Sequence, residues 1–331
     1  MKNLHIIINP ISGTGSKDAV PSFAKDIFPS DQFHTVLHTT EYAGHASELT
    51  RKVLNEGADY VVAVGGDGTV NEIAGAMVHS DAAFGIIPSG SGNGLARDLG
   101  IPIDFRKAME VIAKGNIMCI DYCKADEHTF FCTCGFGFDA LISERFSEEK
   151  HRGPITYVKN ILSEFPKFHP ENYEIRFSEN NSFIGKAFLL TCANATQYGN
   201  NAFIAPQADM QDGKMDVVVV SPLNPLEAGP MAVQLFTKQI NKNGKLHHYQ
   251  AEEIVIKREK AGYMHVDGDP VPAGKEIVVK TIPAGLNVIV PTERDKPTPI
   301  QSQIQDIQSF FKEVINRIGE MNPLDQLNKL G

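Results

Sequence analysis

The residues of this 331-residue chain whose types and spacing can do chemistry lie in three glycine-rich stretches. They are Asn9-Pro10-Ile11-Ser12-Gly13-Thr14-Gly15, Gly65-Gly66-Asp67-Gly68-Thr69 and Ser89-Gly90-Ser91-Gly92-Asn93-Gly94. Glycine lets a backbone come close to a phosphate, and helix N-termini and free amides offer that phosphate positive potential. Three such stretches together point to a polyphosphate, although each alone reads equally well as a plain turn. None fits GxxxxGK[ST] or GxGxxG, so neither a P-loop nor a dinucleotide fingerprint is present. Asp67 stands out, because a carboxylate inside a phosphate-binding loop needs a cation beside it or a proton to accept. In phosphoryl transfer the protein mainly positions groups, offsets charge through metal and orients or deprotonates the acceptor hydroxyl. The plain alternative is an Asp that caps the helix after it.

Strand ends must hold these stretches. Short apolar runs at Leu4–Ile8, His34–Thr39, Tyr60–Val64 and Ala83–Ile87 alternate with helical segments at about Lys17–Phe28, Ala46–Glu56, Val70–Val78 and Phe105–Lys114. That order predicts an α/β domain with a parallel, helix-covered sheet. Gly57 and Gly115 suit left-handed positions after two of the helices. Each glycine stretch follows a strand, so all three should gather at the sheet's carboxyl edge, where open α/β sheets bind ligands. From about Ile117 the texture becomes mostly antiparallel β, with a hairpin pairing Tyr173–Phe177 and Phe183–Thr191 and helical insertions near Ile155–Phe165 and Pro225–Ile240. The reading is two domains, residues 1–118 and 119–291, the second a β-sandwich. In the tail, Thr298-Pro299 opens an amphipathic helix with Ile300, Ile304, Ile307, Phe311, Val314 and Ile318 on one face, closed by Gly319. Its polar face has only two basic residues, Lys312 and Arg317, which favours docking on its own protein or a homodimer over lipid binding.

A net charge of −9 argues against nucleic acid and against general attraction to an anionic membrane, so any membrane contact must be local. No apolar run nears the ~20 residues that span a bilayer, and the chain starts directly with a strand-like segment. A soluble, cytoplasmic protein is expected. The five cysteines, Cys119, Cys123, Cys132, Cys134 and Cys192, form no CxxC pair and read as reduced, mostly buried thiols.

At its glycine loops the sequence resembles the diacylglycerol kinase catalytic superfamily, which includes bacterial diacylglycerol kinases, sphingosine and ceramide kinases and related lipid kinases. The strongest motif is Gly65-Gly66-Asp67-Gly68-Thr69-Val70-Asn71-Glu72, in which Asn-Glu is more telling than the GGDG core. Supporting it are Asn9-Pro10 with Ser12-Gly13, the run Pro88-Ser89-Gly90-Ser91-Gly92-Asn93-Gly94-Leu95-Ala96-Arg97, and late Asp267-Gly268-Asp269. The resemblance implies a nucleotide-binding domain like that of NAD kinase and phosphofructokinase, a β-sandwich lipid domain, a cleft between them, and a chain end (about 292–331) that returns to the first domain. It implies ATP and Mg²⁺ as cofactors and a lipid acceptor, reached by peripheral contact at the inner membrane surface. Asn9, Ser12, Gly13, Thr40, Gly66, Gly68, Thr69, Ser91, Gly92 and Asn93 are the implied nucleotide contacts, joined by Arg97 and Asp267. Asp67 is the implied general base or metal-linked acid, with Asp269 supporting it. Asp121 is placed in a charged network around Mg²⁺, and Asp212, in Gln211-Asp212-Gly213-Lys214, at a structural Mg²⁺ position. Asp139, in Gly135-Phe136-Gly137-Phe138-Asp139, is placed to meet the lipid's polar head group.

Two positions depart from the family pattern. Bacterial diacylglycerol kinases have Asn-Asp where this chain has Asn93-Gly94, which leans the acceptor toward a sphingoid-type lipid. The family's Asp-Gly-Glu is here Asp267-Gly268-Asp269, one methylene shorter at its last acid. The rival readings are an NAD kinase-like transferase with a soluble acceptor and a lipid-binding protein that has lost catalysis. On the kinase reading, Asp67→Asn is expected to abolish transfer while largely sparing ATP binding, and Gly66→Ala to weaken ATP.

Overall fold

The computed structural model describes residues 1–13, 17–148, 160–161, 163–179 and 181–292. β1 (Lys2–Ile8) lies between β2 (Phe33–Thr39) and β3 (Tyr60–Gly65), and β4 (Ala83–Pro88) follows β3, all pairings being parallel. β3 and β4 are buried at every position, as strands covered on both faces must be, which is why they read as unbroken apolar runs. The helices of this lobe are α1 (Val20–Ile27), α2 (His45–Asn55), α3 (Asp67–Met77), the single-turn α4 (Gly94–Asp98) and α5 (Phe105–Lys114). Gly57 and Gly115 adopt φ of +85° and +66° after α2 and α5, a backbone only glycine takes cheaply. Asp104 starts α5 by accepting the Lys107 N–H at 2.9 Å. α3 begins at Asp67 rather than Val70, so the second glycine stretch is itself the first turn of a helix.

The second lobe opens with β5 (Ile117–Ala125), β6 (His128–Phe130), β7 (Thr133–Gly137), α6 (Phe138–Glu148), β8 (Glu171–Ser178), β9 (Asn181–Ala187), β10 (Leu189–Ala193) and β11 (Met215–Val220). After a helix at Pro225–Phe236 come β12 (Leu246–Ala251), β13 (Glu253–Arg258), β14 (Gly262–Val266), β15 (Asp269–Ala273) and the fourteen-residue β16 (Glu276–Ile289). An antiparallel sheet in the order β12-β11-β10-β7-β14-β15 faces β8, β13 and β16 across a dry core. Phe136, Leu190 and Val217 fill that core from one side and Tyr173, Ile175, Ile256 and Val279 from the other. This is the β-sandwich expected from the alternating pattern.

One expectation changes. The segment Phe183–Thr191 is two strands: β9 pairs with β8 in one sheet, and β10 pairs with β7 and β11 in the other, the chain switching sheets at Phe188. A strand before residue 292 also joins the first lobe, while the expected return of the chain end (about 292–331) lies outside the described residues. β16 pairs with β13, passes an irregularity between Ile282 and Leu286, and then lies beside β5 and β4, so one ten-stranded sheet runs through both lobes. The tail helix lies outside the described residues, as does most of the insertion near Ile155–Phe165.

Candidate active site

The three glycine stretches meet at the carboxyl ends of β1, β3 and β4. Asn9 Nδ2 donates to Thr69 Oγ1 at 2.9 Å, joining the first loop to the second, and Ser12 and Ser89 hydroxyls lie 3.1 Å apart, joining the first to the third. The contact is tight: a methyl added at Gly13, where φ is +62°, would lie 1.4 Å from the Ser89 carbonyl oxygen. One added at Gly90 would lie 2.6 Å from the Gly66 Cα. Gly68 differs, for a methyl there meets nothing within 4 Å and the residue is exposed. Thr40 is buried at the border of the cluster, its N–H bonded to Ile8 just before Asn9. Ser91 is exposed at the tip of the third loop and Gly92 half-buried.

Asp67 does not cap its own helix. Its carboxylate reaches the third loop, where Oδ2 accepts the Asn93 N–H at 2.9 Å and Oδ1 the Gly94 N–H at 2.7 Å. It therefore caps α4 and fixes the loop that leads into it. Asn93, expected among the nucleotide contacts, is buried with φ +52°, and its side-chain amide exchanges two bonds with the Gly90 backbone. Arg97 donates from Nε to the Gly92 carbonyl at 3.0 Å. These residues shape the loop from inside.

The second lobe closes on this loop. The Asn200 N–H approaches the Gly92 carbonyl at 3.4 Å, and the Thr196 N–H donates to Asp98 at 3.0 Å. A Cβ added at Gly94 would lie tightly against the Tyr198 carbonyl, at 3.3 Å, and in ordinary contact with the Cys132 Sγ, at 3.6 Å. Cys132 links onward to the late turn. Asp267 and Gly268, with φ of +48° and +89°, form the two-residue turn between β14 and β15. Asp267 carboxylate oxygens accept the N–H groups of Phe131, Cys132 and Thr133 at 2.7, 2.7 and 2.8 Å. Burial lifts its pKa to about 6 against the pull of those three donors. The sequence places Asp267 at the nucleotide; the fold commits its carboxylate to the start of β7. Asp269, next but one, is exposed at the head of β15.

Asp139 lies at the start of α6 in a buried polar cluster that the sequence did not reveal. Its Oδ2 accepts from Thr191 Oγ1 at 3.0 Å and Tyr198 Oη at 2.8 Å, and lies 3.0 Å from His265 Nε2. Burial opposes a charge on His265, but the carboxylates of Asp139, then Asp267 and Asp269, outweigh it and raise its pKa. Gly135 leaves room for the pair, since an added methyl would lie 2.3 Å from both Asp139 Oδ2 and His265 Nε2. Lys17 is a second residue the sequence reading passed over. Its ammonium bonds the Ser12 carbonyl at the edge of the first loop, and burial lowers its pKa.

The acids assigned to metal divide. Asp121 is buried, and its two oxygens accept the Gly213 N–H at 2.8 Å and the Ala284 N–H at 2.7 Å, so it anchors the Gln211–Lys214 turn rather than the phosphate loops. Asp212 is exposed in that turn and accepts the Lys214 N–H at 2.9 Å. Among the described residues no three His, Cys, Asp or Glu side chains gather to hold a metal. Mg²⁺ commonly binds through one or two carboxylates plus substrate phosphates, and Asp67, with lone pairs left on both oxygens, fits that mode. Asp121 does not.

Comparison with known proteins follows the two lobes. Residues 3–125 match the model of the diacylglycerol kinase catalytic domain, and residues 132–290 that of the YegS C-terminal NAD kinase beta sandwich-like domain. A probable lipid kinase YegS-like of Enterobacter sp. (strain 638) is 28% identical over 78% of this chain and 86% of its own. A diacylglycerol kinase of Mycobacterium tuberculosis is 26% identical over 86% of this chain and 94% of its own. Among solved structures, a diacylglycerol kinase from Bacillus anthracis superposes with a TM-score of 0.66 at 20% identity, covering 88% of this chain and 97% of that one. An NAD kinase from Archaeoglobus fulgidus in complex with ATP gives 0.51 at 12% identity, covering 92% and 99%, which shows the shared fold. With both domain models matched in series across the two lobes, the chain belongs to the diacylglycerol kinase catalytic superfamily and is a lipid kinase of that family.

Proposed function

We propose that the enzyme transfers the γ-phosphoryl group of ATP to the hydroxyl of a lipid such as diacylglycerol or a sphingoid base. The observation that carries this is the carboxylate of Asp67, set where the three glycine loops touch and bonded across to the loop on which the second lobe rests. The triphosphate lies over the amides of Gly66–Thr69, at the first turn of α3, and of Ser91–Gly92, with Asn9, Ser12 and Gly13 bracing them and Lys17 supplying a nearby cation. Each Asp67 oxygen accepts one N–H and keeps lone pairs free, so Asp67 can take the proton of the acceptor hydroxyl as the oxygen attacks phosphorus. Mg²⁺, when bound with ATP, offsets phosphate charge, and Asp67 with exposed Asp269 would hold it. The Asp139 cluster receives the polar end of the lipid, its Thr191 and Tyr198 hydroxyls and His265 setting the carboxylate's direction. The acceptor comes from a membrane by peripheral contact. Among the described residues no helix is long and apolar enough to cross one.

The test offers diacylglycerol, sphingosine, ceramide and NAD together with ATP radiolabelled at its γ-phosphate. Label is expected in one extractable lipid product and not in NAD. Label in NAD, or none in any acceptor, would overturn the reading.

A further inference from the structure

The helix Pro225–Phe236 takes no part in the transfer just described, yet it is firmly built. Asn224 and Glu227 form a capping box, Asn224 Oδ1 accepting the Leu226 N–H at 2.9 Å and Glu227 accepting the Asn224 N–H at 2.9 Å. Its inner side puts Met231 into the apolar cluster that contains Phe138 and Phe188, beside Asp139. Its outer side carries Leu226, Pro230 and Val233, spaced four and three residues apart on one face. Leu226 is 88% exposed and Val233 38%. The only charge in the helix is Glu227, held in the cap and 3.4 Å from Lys245. Lys238 and Lys242 stand exposed just past its end. Between Ser221 and Ala251 there are three lysines and one acid, in a chain whose net charge is −9.

We propose that this helix is the face by which the enzyme docks on an anionic lipid bilayer. Leu226, Pro230 and Val233 enter the boundary between headgroups and acyl chains, and Lys238 and Lys242 meet the anionic headgroups. The proposal rests on the lipid-kinase reading, and it answers a difficulty in that reading. A protein of this net charge is repelled on average by such a membrane, so it needs a local basic, apolar face within a Debye length of the surface. A second copy fits less well. Three apolar side chains fall far short of the ~800 Å² that each partner of a stable dimer buries, and a two-fold axis there would bring lysines together. The segment 293–331 is nearly charge-balanced, with six acids and five basic residues, and offers the lysines little.

Flotation of the full chain with phosphatidylcholine vesicles, with and without phosphatidylglycerol, is the test. The protein should float with the anionic vesicles, less so at high salt. Leu226→Glu with Val233→Glu, and separately Lys238→Glu with Lys242→Glu, should each weaken that binding about tenfold or more, the first pair by losing two inserted apolar side chains and the second by losing two surface cations. Transfer to a short-chain acceptor dispersed as monomers should stay within about twofold, because neither pair bonds to the glycine loops or the Asp139 cluster, Lys238 reaching only the Phe203 ring, while transfer to the same headgroup in vesicles falls with binding. Variants that float like the unaltered protein would overturn the proposal. So would a Leu226→Glu variant that turns a dimer into a monomer, or binding lost only when residues 293–331 are removed. If instead no lipid is phosphorylated but flotation depends on this helix as stated, the kinase reading fails and the docking face stands.

Discussion

Asp67 holds the third loop through the same carboxylate that the proposed transfer uses as a base, and the two duties conflict in any isosteric test. Its oxygens accept from Asn93 and Gly94 N–H groups. An Asn side chain keeps one acceptor and turns an NH₂ toward the other donor, leaving a half-buried N–H unpaired at a cost of about 1–3 kcal/mol. Asp67→Asn is therefore expected to lower kcat by about 10²–10⁴-fold and also to lower Tm and ATP affinity, unlike the clean catalytic loss expected from sequence. Single-turnover rates, ATP titration and thermal melts measure the three; an unchanged Tm would show that the third loop does not depend on Asp67. Gly68 gives the cleaner probe of phosphate approach. Its added methyl meets no protein atom, and within α3 alanine favours the helix by up to about 1 kcal/mol over glycine. Gly68→Ala should leave Tm level or higher while ATP affinity falls about tenfold or more, and undiminished ATP affinity would remove Gly68 from the binding surface. Such loop residues were legible because type and spacing alone mark them. Thr191, Tyr198 and His265 were not, since β10, a connecting loop and β14 bring them to Asp139 from far apart in the chain.

Among the elements, the glutamate that made the second glycine motif recognisable proves to be a structural part. Glu72, on α3, accepts the Gly44 N–H at 3.0 Å and the Ala46 N–H at 3.2 Å, and the Ser47 hydroxyl donates to its backbone carbonyl at 2.8 Å. Gly44 precedes α2 with φ +89° and has no side chain to cap with, so α2 takes its cap and its favourable negative charge from its neighbour. Glu72→Ala should then cost about 1–2 kcal/mol, lowering Tm by about 2–4 °C with kcat nearly unchanged. Circular dichroism melts with activity assays check it; a large loss of kcat at constant Tm would move Glu72 into the chemistry. The parallel strands and long helices of this lobe were legible because burial on both faces and glycine ends leave strong local signals. α4 was missed because five residues show no period, and α6 because its apolar residues make no narrow stripe. The sheet switch at Phe188 was hidden for a different reason: alternation with period two continues unbroken whether a strand stays in its sheet or leaves it.

Taken as one molecule, the lobes are joined by a continuous sheet through β16 at the back and by the contact of Gly92 and Gly94 with the Tyr198–Asn200 loop at the front. The back cannot open without breaking strand pairs, so any parting of the lobes is expected at the front. Cys132 reports on that front. It is 6% exposed, its N–H is held by Asp267, and burial first, then Asp267, Asp98 and Asp67, push its thiol well above the usual range, so it is inert while the lobes meet. Cys123, Cys134 and Cys192 lie in the sandwich core, where burial lifts their thiols too. Cys119 alone of the five is half-exposed. Alkylation of the native protein, read residue by residue by mass spectrometry, should therefore proceed in three steps: Cys119 promptly, Cys132 at the rate of local opening, and the core three only with global unfolding. On the proposed function a nucleotide would bridge the loops and hold the front closed, so ATP with Mg²⁺ should slow Cys132 by about its saturation ratio and leave Cys119 unaffected. Labelling of Cys132 in step with the core thiols, or at a rate indifferent to nucleotide, would mean that the front contact is fixed and that substrate enters by another path.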